Sequence, residues 1–368
     1  MAALRILLSG GGTGGHIYPA MAIAAALEAL APDSEFLFVG AEGKMEMKRI
    51  PAAGYKIVGL PIAGFHRSLD KRNLAFPFKL INSLGKARST VKDFNPDVAI
   101  GTGGYASGPA LAAAYTLGVP VFLQEQNALA GVTNRLLGKI AKSVFIAYPE
   151  AISYFNSTKT IHTGNPLRKS LRADSLTTKE NGRAHFGLDI AKPTLLSFGG
   201  SLGARKMNDA FAEMHSFWKN HQELQVIWQT GEGYYARYSE SETARLSNVK
   251  CVPYLERMDL AYAAADLVAC RAGALSISEL QLLAKPSILI PSPNVSGDHQ
   301  TANAKAVERT GAAVLVPDNQ QVEKLSTTLS HLLGDSEALA RMSKAAADTA
   351  KPDAAQHIAQ HILDYVNR

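Results

Sequence analysis

Three glycine-rich turns carry the residues best suited to chemistry. They are Gly10-Gly11-Gly12-Thr13-Gly14-Gly15-His16, Gly101-Thr102-Gly103-Gly104-Tyr105-Ala106-Ser107-Gly108-Pro109 and Gly199-Gly200-Ser201-Leu202-Gly203-Ala204-Arg205. A short apolar run precedes each and a helical pattern follows, so each turn leads into a helix N-terminus. Backbone N–H groups there, reinforced by the helix dipole, form anion sites. Gly10, Gly12 and Gly15 also satisfy G-x-G-x-x-G, a weak dinucleotide signal on its own. The acidic residue expected about 20 residues on to hold a cofactor ribose is poorly matched: Glu42 lies farther along, past a glycine. Three such turns suit a ligand set with two diphosphates better than one NAD.

The elements that must position these turns repeat. Leu4–Ser9 and Pro193–Phe198 each read as a strand, followed by the helical patterns Ala20–Leu30 and Asn208–Trp218. Apolar runs then alternate with helical stretches: Phe36–Val39, Val98–Ile100, Val121–Leu123 and Val144–Ile146 in the first half, and Val226–Gln229, Leu267–Cys270 and Ser287–Ile290 in the second. Strand, glycine turn and helix, twice over, argue for two doubly wound, Rossmann-like α/β domains. The 368 residues agree with two domains at about 150 residues each. The expected boundary lies near Gly164-Asn165-Pro166, giving an N-terminal domain over 1–165, a C-terminal domain over 166–345 and a terminal helix over 346–368. A ligand is expected in the cleft where the strands' carboxyl ends face each other.

Composition removes several classes. At 46% hydrophobic and 19% charged residues, the chain can bury a large core. Two cysteines, Cys251 and Cys270, do not make a disulfide scaffold or a cysteine metal site. No run reaches the roughly 20 apolar residues of a membrane span, and Met1–Leu8 is too short for a secretory signal, so a cytoplasmic chain is expected. The net charge of +6 resides before Pro166, with 16 basic against 10 acidic residues there and 22 of each beyond. Within Phe65–Lys92, Arg67, Lys71, Arg72, Lys79, Lys86, Arg88 and Lys92 face Asp70 alone, around Leu74-Ala75-Phe76-Pro77-Phe78-Lys79-Leu80-Ile81. Such interleaving suits an anionic membrane surface; a solvated basic helix with its apolar face in the core is the alternative. No nucleic-acid-binding pattern accompanies the charge.

Together the glycine turns resemble the three glycine loops of the MurG family, UDP-N-acetylglucosamine-dependent N-acetylglucosaminyltransferases of bacterial cell-wall synthesis. Further matching segments are Gln124-Glu125-Gln126-Asn127 with Ala130-Gly131, and Thr163-Gly164-Asn165-Pro166-Leu167-Arg168. Later come Arg271-Ala272-Gly273-Ala274-Leu275-Ser276-Ile277-Ser278-Glu279 and Asp298-His299-Gln300-Thr301-Ala302-Asn303-Ala304. They run in order over residues 4–310. Leu202 departs from the family, where glutamine is common.

The resemblance implies a GT-B fold, an acceptor lipid at the N-terminal domain and a sugar nucleotide mainly at the C-terminal one. It implies inverting transfer of N-acetylglucosamine to the 4-hydroxyl of undecaprenyl-diphosphoryl-N-acetylmuramyl-pentapeptide, with release of UDP. Donor contacts are expected from Thr13, Gly14, Gly15, Asn127, Gly200, Ser201 and Gly203, with Arg168 as a cationic fork across the cleft. Leu255 would border uracil, Ala274, Leu275 and Ser276 would lie along the nucleotide, and Gln300 would bond sugar hydroxyls. Glu279 would accept from the ribose hydroxyls, or close a Ser276-x-x-Glu279 capping box. Gly103, Gly104, Tyr105 and Ser107 would meet the acceptor. Two bases compete: His16, whose helix start favours a neutral imidazole, and Glu125, made more basic by desolvation. A structural His16, capping the helix or positioning phosphate, is the alternative. Lys71, Arg72, Phe76, Phe78, Lys79, Leu80 and Ile81 become the expected membrane face, on the cytoplasmic side of the plasma membrane. No Asp-x-Asp pair occurs, and neither metal nor cofactor is expected. Competing readings are another GT-B UDP-sugar enzyme (a glycolipid glycosyltransferase or an epimerase), a nicotinamide-dependent oxidoreductase, and a non-catalytic nucleotide-binding module.

Overall fold

The structure, a computed structural model, describes residues 3–62, 76–168, 177–200 and 202–368. The chain divides into two compact units, Met1–Arg168 with Asp353–Arg368, and Lys169–Pro352.

The first unit runs β1 (Arg5–Gly10), α1 (Gly14–Leu30), β2 (Glu35–Ala41), α2 (Glu46–Ala52), β3 (Lys56–Leu60), α3 (Phe76–Phe94), β4 (Val98–Gly103), α4 (Ser107–Thr116), β5 (Val121–Glu125), α5 (Val132–Leu137), β6 (Ser143–Ile146) and β7 (Thr160–His162). The seven strands form one sheet in the order β3-β2-β1-β4-β5-β6-β7, and every pairing is parallel. Both faces of a parallel sheet are covered, so its strands are apolar throughout. Alternate residues supply two cores. Leu7, Ala99, Leu123 and Val144 pack with Ala87 and Val91 of α3 and Ala110 and Leu111 of α4. Ile6, Leu8, Ile100, Phe122 and Phe145 pack with Ile17, Ile23 and Leu27 of α1.

The second unit runs α6 (Lys179–Phe186), β8 (Thr194–Phe198), α7 (Arg205–Glu213), α8 (His215–Asn220), β9 (Gln225–Gln229), α9 (Glu232–Tyr238), β10 (Val249–Val252), α10 (Met258–Ala264), β11 (Leu267–Cys270), α11 (Ala274–Leu282), β12 (Ser287–Leu289), α12 (His299–Glu308), β13 (Ala313–Leu315), α13 (Gln321–Leu333) and α14 (Ser336–Thr349). Its parallel sheet has the order β10-β9-β8-β11-β12-β13. On one face Phe211 stacks between Trp218 and Trp228, with centroids 5.1 and 5.9 Å away.

All seven strand runs expected after the two opening strands are present. The short β3, β7, β10 and β13 escape a reading by apolar runs: Lys56, His162 and Lys250 interrupt the first three, and β13 has only three residues.

The terminal helix α15 (Ala354–Val366) returns to the first unit, where Ile358, Ile362 and Leu363 are fully buried against α1 and the sheet. Burying side chains of this size contributes about 1.5–3 kcal/mol each, so the helix is integral to that core. His361 of α15 lies edge-on to Phe145 and shares a 2.9 Å hydrogen bond with the Ser143 hydroxyl. Burial is the largest cause holding its imidazole below the ordinary value of 6.5, with Asp364 opposing and Arg368 assisting. The unfolded chain therefore takes up the proton first as pH falls. Stability from this contact is complete above about pH 6.5 and is lost below it. Thermal melts should show His361→Gln losing less stability than the parent protein between pH 7.5 and 5.5. Parallel losses would show that this contact is pH-insensitive.

Candidate functional site

In both sheets the strand order reverses beside the first strand, between β1 and β4 and between β8 and β11. Such switch points open crevices at the strands' carboxyl ends. The glycine turns lie there.

In the first unit the turns after β1 and β4 touch backbone to backbone. The Gly11 N–H donates to the Gly103 carbonyl at 3.3 Å. A Cβ on Gly104 would lie 2.3 Å from the Gly11 carbonyl oxygen, and one on Gly11 would lie 2.1 Å from Glu46 Oε1. Only glycine permits this crossing. His16 occupies the first turn of α1, with Nδ1 3.0 Å from the Gly11 carbonyl oxygen and 3.5 Å from Thr13 Oγ1. Its ring lies beside Gly103, where a Cβ would meet Nε2 at 3.1 Å. An imidazole that donates from Nδ1 to a carbonyl keeps a lone pair on Nε2 and can accept a proton there. Thr13, Gly14 and Gly15 form the N-cap and first turn of α1.

Glu125, at the end of β5, is buried among donors. Oε1 accepts from the Asn127 N–H and Nδ2, and Oε2 accepts from the Gly131 N–H and Asn134 Nδ2, at 2.9–3.1 Å. Four donors fill the carboxylate's acceptor positions, so it organises the turn into α5. Gln124, Gln126 and Asn165 extend this buried amide network towards the Thr102 carbonyl. Asn127, expected to reach a sugar, spends at least one donor on Glu125.

Ser107 differs from expectation. Its fully buried hydroxyl lies 2.8 Å from both the Ser9 and Gly103 carbonyl oxygens, tying the second turn to β1 and leaving no surface for an acceptor. Tyr105 is half-exposed beside it. Arg168 belongs to the first unit, where its guanidinium lies 5.4 Å from the Tyr18 ring centroid.

In the second unit, the turn after β8 packs Gly203 against β9. It has φ +75°, and a Cβ there would lie 2.1 Å from the Thr230 carbonyl oxygen. Gly200 accepts from Gln229 Nε2 at 3.3 Å. Leu202 is 78% exposed. Ser201 lies outside the described residues. The turn after β11 leads into α11 with Gly273 at the N-cap, so Ala274, Leu275 and Ser276 form its first turn. The capping-box expectation is corrected: Ser276 is inside the helix and cannot cap it. Glu279, one turn on, accepts from the Tyr262 hydroxyl at 2.9 Å. Leu255 is buried, and Gln300 Oε1 accepts from the Ser292 N–H at 2.8 Å. Arg271, behind this turn, pairs with Asp318 at 2.6 Å.

On α3, Phe78 and Ile81 are 75% and 68% exposed, and Lys79 is exposed between them. Leu80, expected on that face, instead packs partly buried against the core, as the helical period requires. Lys86 is paired with Glu42 at 2.9 Å. Lys71 and Arg72 lie outside the described residues, as does the side chain of Phe76. Among the described residues no helix is long and apolar enough to cross a membrane.

Sequence reasoning missed Glu46, the first residue of α2. It is fully buried, and it accepts from the Gly12 N–H at 3.0 and 3.1 Å and from the Ala41 N–H at 3.0 Å. No motif flags it, since its partners, Gly12 and Ala41, offer only backbone groups.

The glycine crossing has a measurable cost to change. Gly12 has φ +86° with nothing within 4 Å of an added Cβ. Gly12→Ala should therefore cost only the left-handed backbone strain of about 1–2 kcal/mol. Gly104→Ala carries similar strain plus the collision with Gly11, and should unfold at clearly lower urea. Equal midpoints would show that the contact relaxes freely.

Comparison with known proteins agrees with this architecture. Residues 6–146 match the N-terminal domain of glycosyltransferase family 28, and residues 194–358 match its C-terminal domain. The UDP-N-acetylglucosamine–N-acetylmuramyl-(pentapeptide) pyrophosphoryl-undecaprenol N-acetylglucosamine transferase of Bacteroides thetaiotaomicron is 48% identical, over 98% of this chain and 97% of that protein. The protein of the same name from Parabacteroides distasonis is 46% identical over the full length of both. The crystal structure of Acinetobacter baumannii MurG superposes with a TM-score of 0.77 at 28% identity, covering 98% of this chain and 99% of that one. The chain belongs to glycosyltransferase family 28, and within it to the N-acetylglucosamine transferases that these relatives represent.

Proposed function

We propose that this protein transfers N-acetylglucosamine from UDP-N-acetylglucosamine to the 4-hydroxyl of undecaprenyl-diphosphoryl-N-acetylmuramyl-pentapeptide, releasing UDP and inverting the anomeric centre. The observation that carries the reading is near-full-length identity of 46–48% to transferases named for this reaction. The glycine turns at both switch points supply the corresponding crevices. The epimerase, oxidoreductase and non-catalytic readings lack comparable support.

Displacement at the anomeric carbon needs a base for the attacking hydroxyl and a sink for charge on the leaving diphosphate. His16 is the base in this reading. Its Nδ1 is held by the Gly11 carbonyl, so Nε2 takes the hydroxyl proton. Glu125 is set aside because its acceptor positions are filled. The acceptor lies against Gly103, Gly104 and Tyr105. The sink is the donor end of α11, with Ala274, Leu275 and Ser276, together with the Gly200–Gly203 turn. Arg168 adds positive charge. Glu279 accepts from the ribose hydroxyls, and the Tyr262 bond orients its carboxylate. Leu255 and Gln300 contact the uracil and the donor sugar.

The acceptor lipid stays in a bilayer, and α3 is the docking face, on the cytoplasmic side of the plasma membrane. Phe78 and Ile81 project outward with Lys79, and a cation near an anionic leaflet contributes about 1 kcal/mol.

Labelled N-acetylglucosamine should pass to lipid-linked muramyl-pentapeptide with chelator present; no transfer would overturn the reading. His16→Ala should lower turnover by roughly 100-fold or more while UDP-N-acetylglucosamine still binds. Wild-type turnover would remove His16 as the base. Phe78→Ser with Ile81→Ser should weaken sedimentation with anionic vesicles, whereas unchanged binding would return α3 to a solvated helix.

A further inference from the structure

We infer that Glu46 is a positioning residue for His16, acting through the single peptide unit that joins Gly11 to Gly12. The inference rests on the assignment of His16 as the base. Glu46 brings both carboxylate oxygens to the Gly12 N–H, at 3.0 and 3.1 Å, while Oε1 also accepts from the Ala41 N–H. The Gly11 carbonyl, at the other end of the same peptide, faces His16 Nδ1 at 3.0 Å. A trans peptide is planar, and its C=O and N–H point in opposite directions. Fixing the N–H on Glu46 therefore aims the carbonyl at the imidazole.

Two consequences follow. The carbonyl accepts the Nδ1 proton, which selects the tautomer with a bare Nε2. A charged acceptor on the N–H also polarises the peptide, so its oxygen becomes a better acceptor, most of all when the imidazole has become imidazolium. Glu46, peptide and His16 thus form a carboxylate–histidine pair with one amide inserted. The surroundings keep this unit in place. The Gly104 backbone closes over the Gly11 carbonyl, and Glu46 is anchored independently on Ala41 of β2. The geometry also removes the Gly12 N–H from anion binding, since Glu46 already holds it. In a dinucleotide-binding unit the acidic residue near this point would hold ribose; here the one that enters the turn is buried beneath it.

Glu46→Gln isolates the effect. Its amide oxygen, at the Oε1 position, can keep the Ala41 and Gly12 bonds at 3.0 and 3.1 Å, while the charge is lost and its NH2 group, 3.0 Å from the Gly12 nitrogen, replaces an acceptor with a donor. The experiment compares kcat, KM for UDP-N-acetylglucosamine and pH profiles for wild type, Glu46→Gln, His16→Ala and the double variant. Glu46→Gln should lower kcat by roughly tenfold or more with KM little changed. The acid limb of its profile should move to lower pH, because the carbonyl facing the imidazolium is no longer polarised by a carboxylate. The double variant should be no slower than His16→Ala, since the two residues act as one unit. Wild-type kcat in Glu46→Gln, or losses that multiply in the double variant, would overturn the inference. Wild-type turnover in His16→Ala would instead overturn the base assignment, so the two failures are distinguishable. Should Glu46→Gln fail to fold, wild-type protein gives the answer by nitrogen-15 NMR. The His16 resonances should report the Nδ1–H tautomer, and the Gly12 amide should be protected from exchange. A Gly12 amide exchanging at the rate of an open loop would overturn the relay.

Discussion

The site of the first unit depends on one close crossing, where the backbone of the first glycine turn passes over that of the second. The Gly11 N–H donates to the Gly103 carbonyl, and the Gly104 backbone leaves no space for a side chain above the Gly11 carbonyl. Parallel pairing of β1 with β4 brings the two turns side by side, because consecutive ladder positions carry both strand ends to the same edge. Ser107 locks the arrangement from below by reaching the Ser9 and Gly103 carbonyls. With the backbones fixed, the direction of each peptide dipole is fixed too, and His16 meets a carbonyl that cannot turn away.

This architecture explains why two carboxylates are buried beside the switch-point crevice of the first unit with neutral donors around them. An isolated buried charge is strongly unfavourable unless hydrogen bonds replace its water. Glu125 has four such donors, and Glu46 has two backbone N–H groups. Each converts that stabilisation into order of an otherwise irregular segment: the turn into α5 in one case, the first glycine turn in the other. The second unit reaches comparable order differently. Arg271 lies behind the turn into α11, neutralised by Asp318 and bonded to the carbonyls of Ile290 and Pro291. The two switch points share topology, but the first has carboxylates held by neutral donors behind it and the second an arginine–aspartate pair.

The sequence makes the scaffold legible because parallel strands covered on both faces must be apolar, and glycine clusters must fall where backbones approach. It is less informative about which way a polar side chain faces. Ser107 sits in a glycine turn, where a hydroxyl facing ligand and one facing backbone have the same spacing signature; the structure turns it to backbone. Ser276 and Glu279 have capping-box spacing, but α11 begins two residues before Ser276, because Gly273 takes the extended N-cap conformation. Leu80 lies among exposed residues in sequence, and the helical period carries it inward. Glu46 leaves no signature at all: its partners, Gly12 and Ala41, contribute only their main chain, so no residue type elsewhere in the sequence points to it.

Placing a peptide between carboxylate and imidazole has a physical rationale. A carboxylate in direct contact with imidazole acts on the ring with its full charge and raises its affinity for a proton. An intervening amide transmits direction and polarisation but not the full charge, so the resting ring can stay neutral while its conjugate acid is still met by an enhanced dipole. The helix start at Thr13–Gly14 acts in the other direction, since its positive end opposes protonation before the reaction. The opposing fields are both set by backbone, one from α1 and one from the Gly11–Gly12 peptide. With His16 as the proposed base, main-chain dipoles, one of them held and polarised by Glu46, set how readily it accepts a proton.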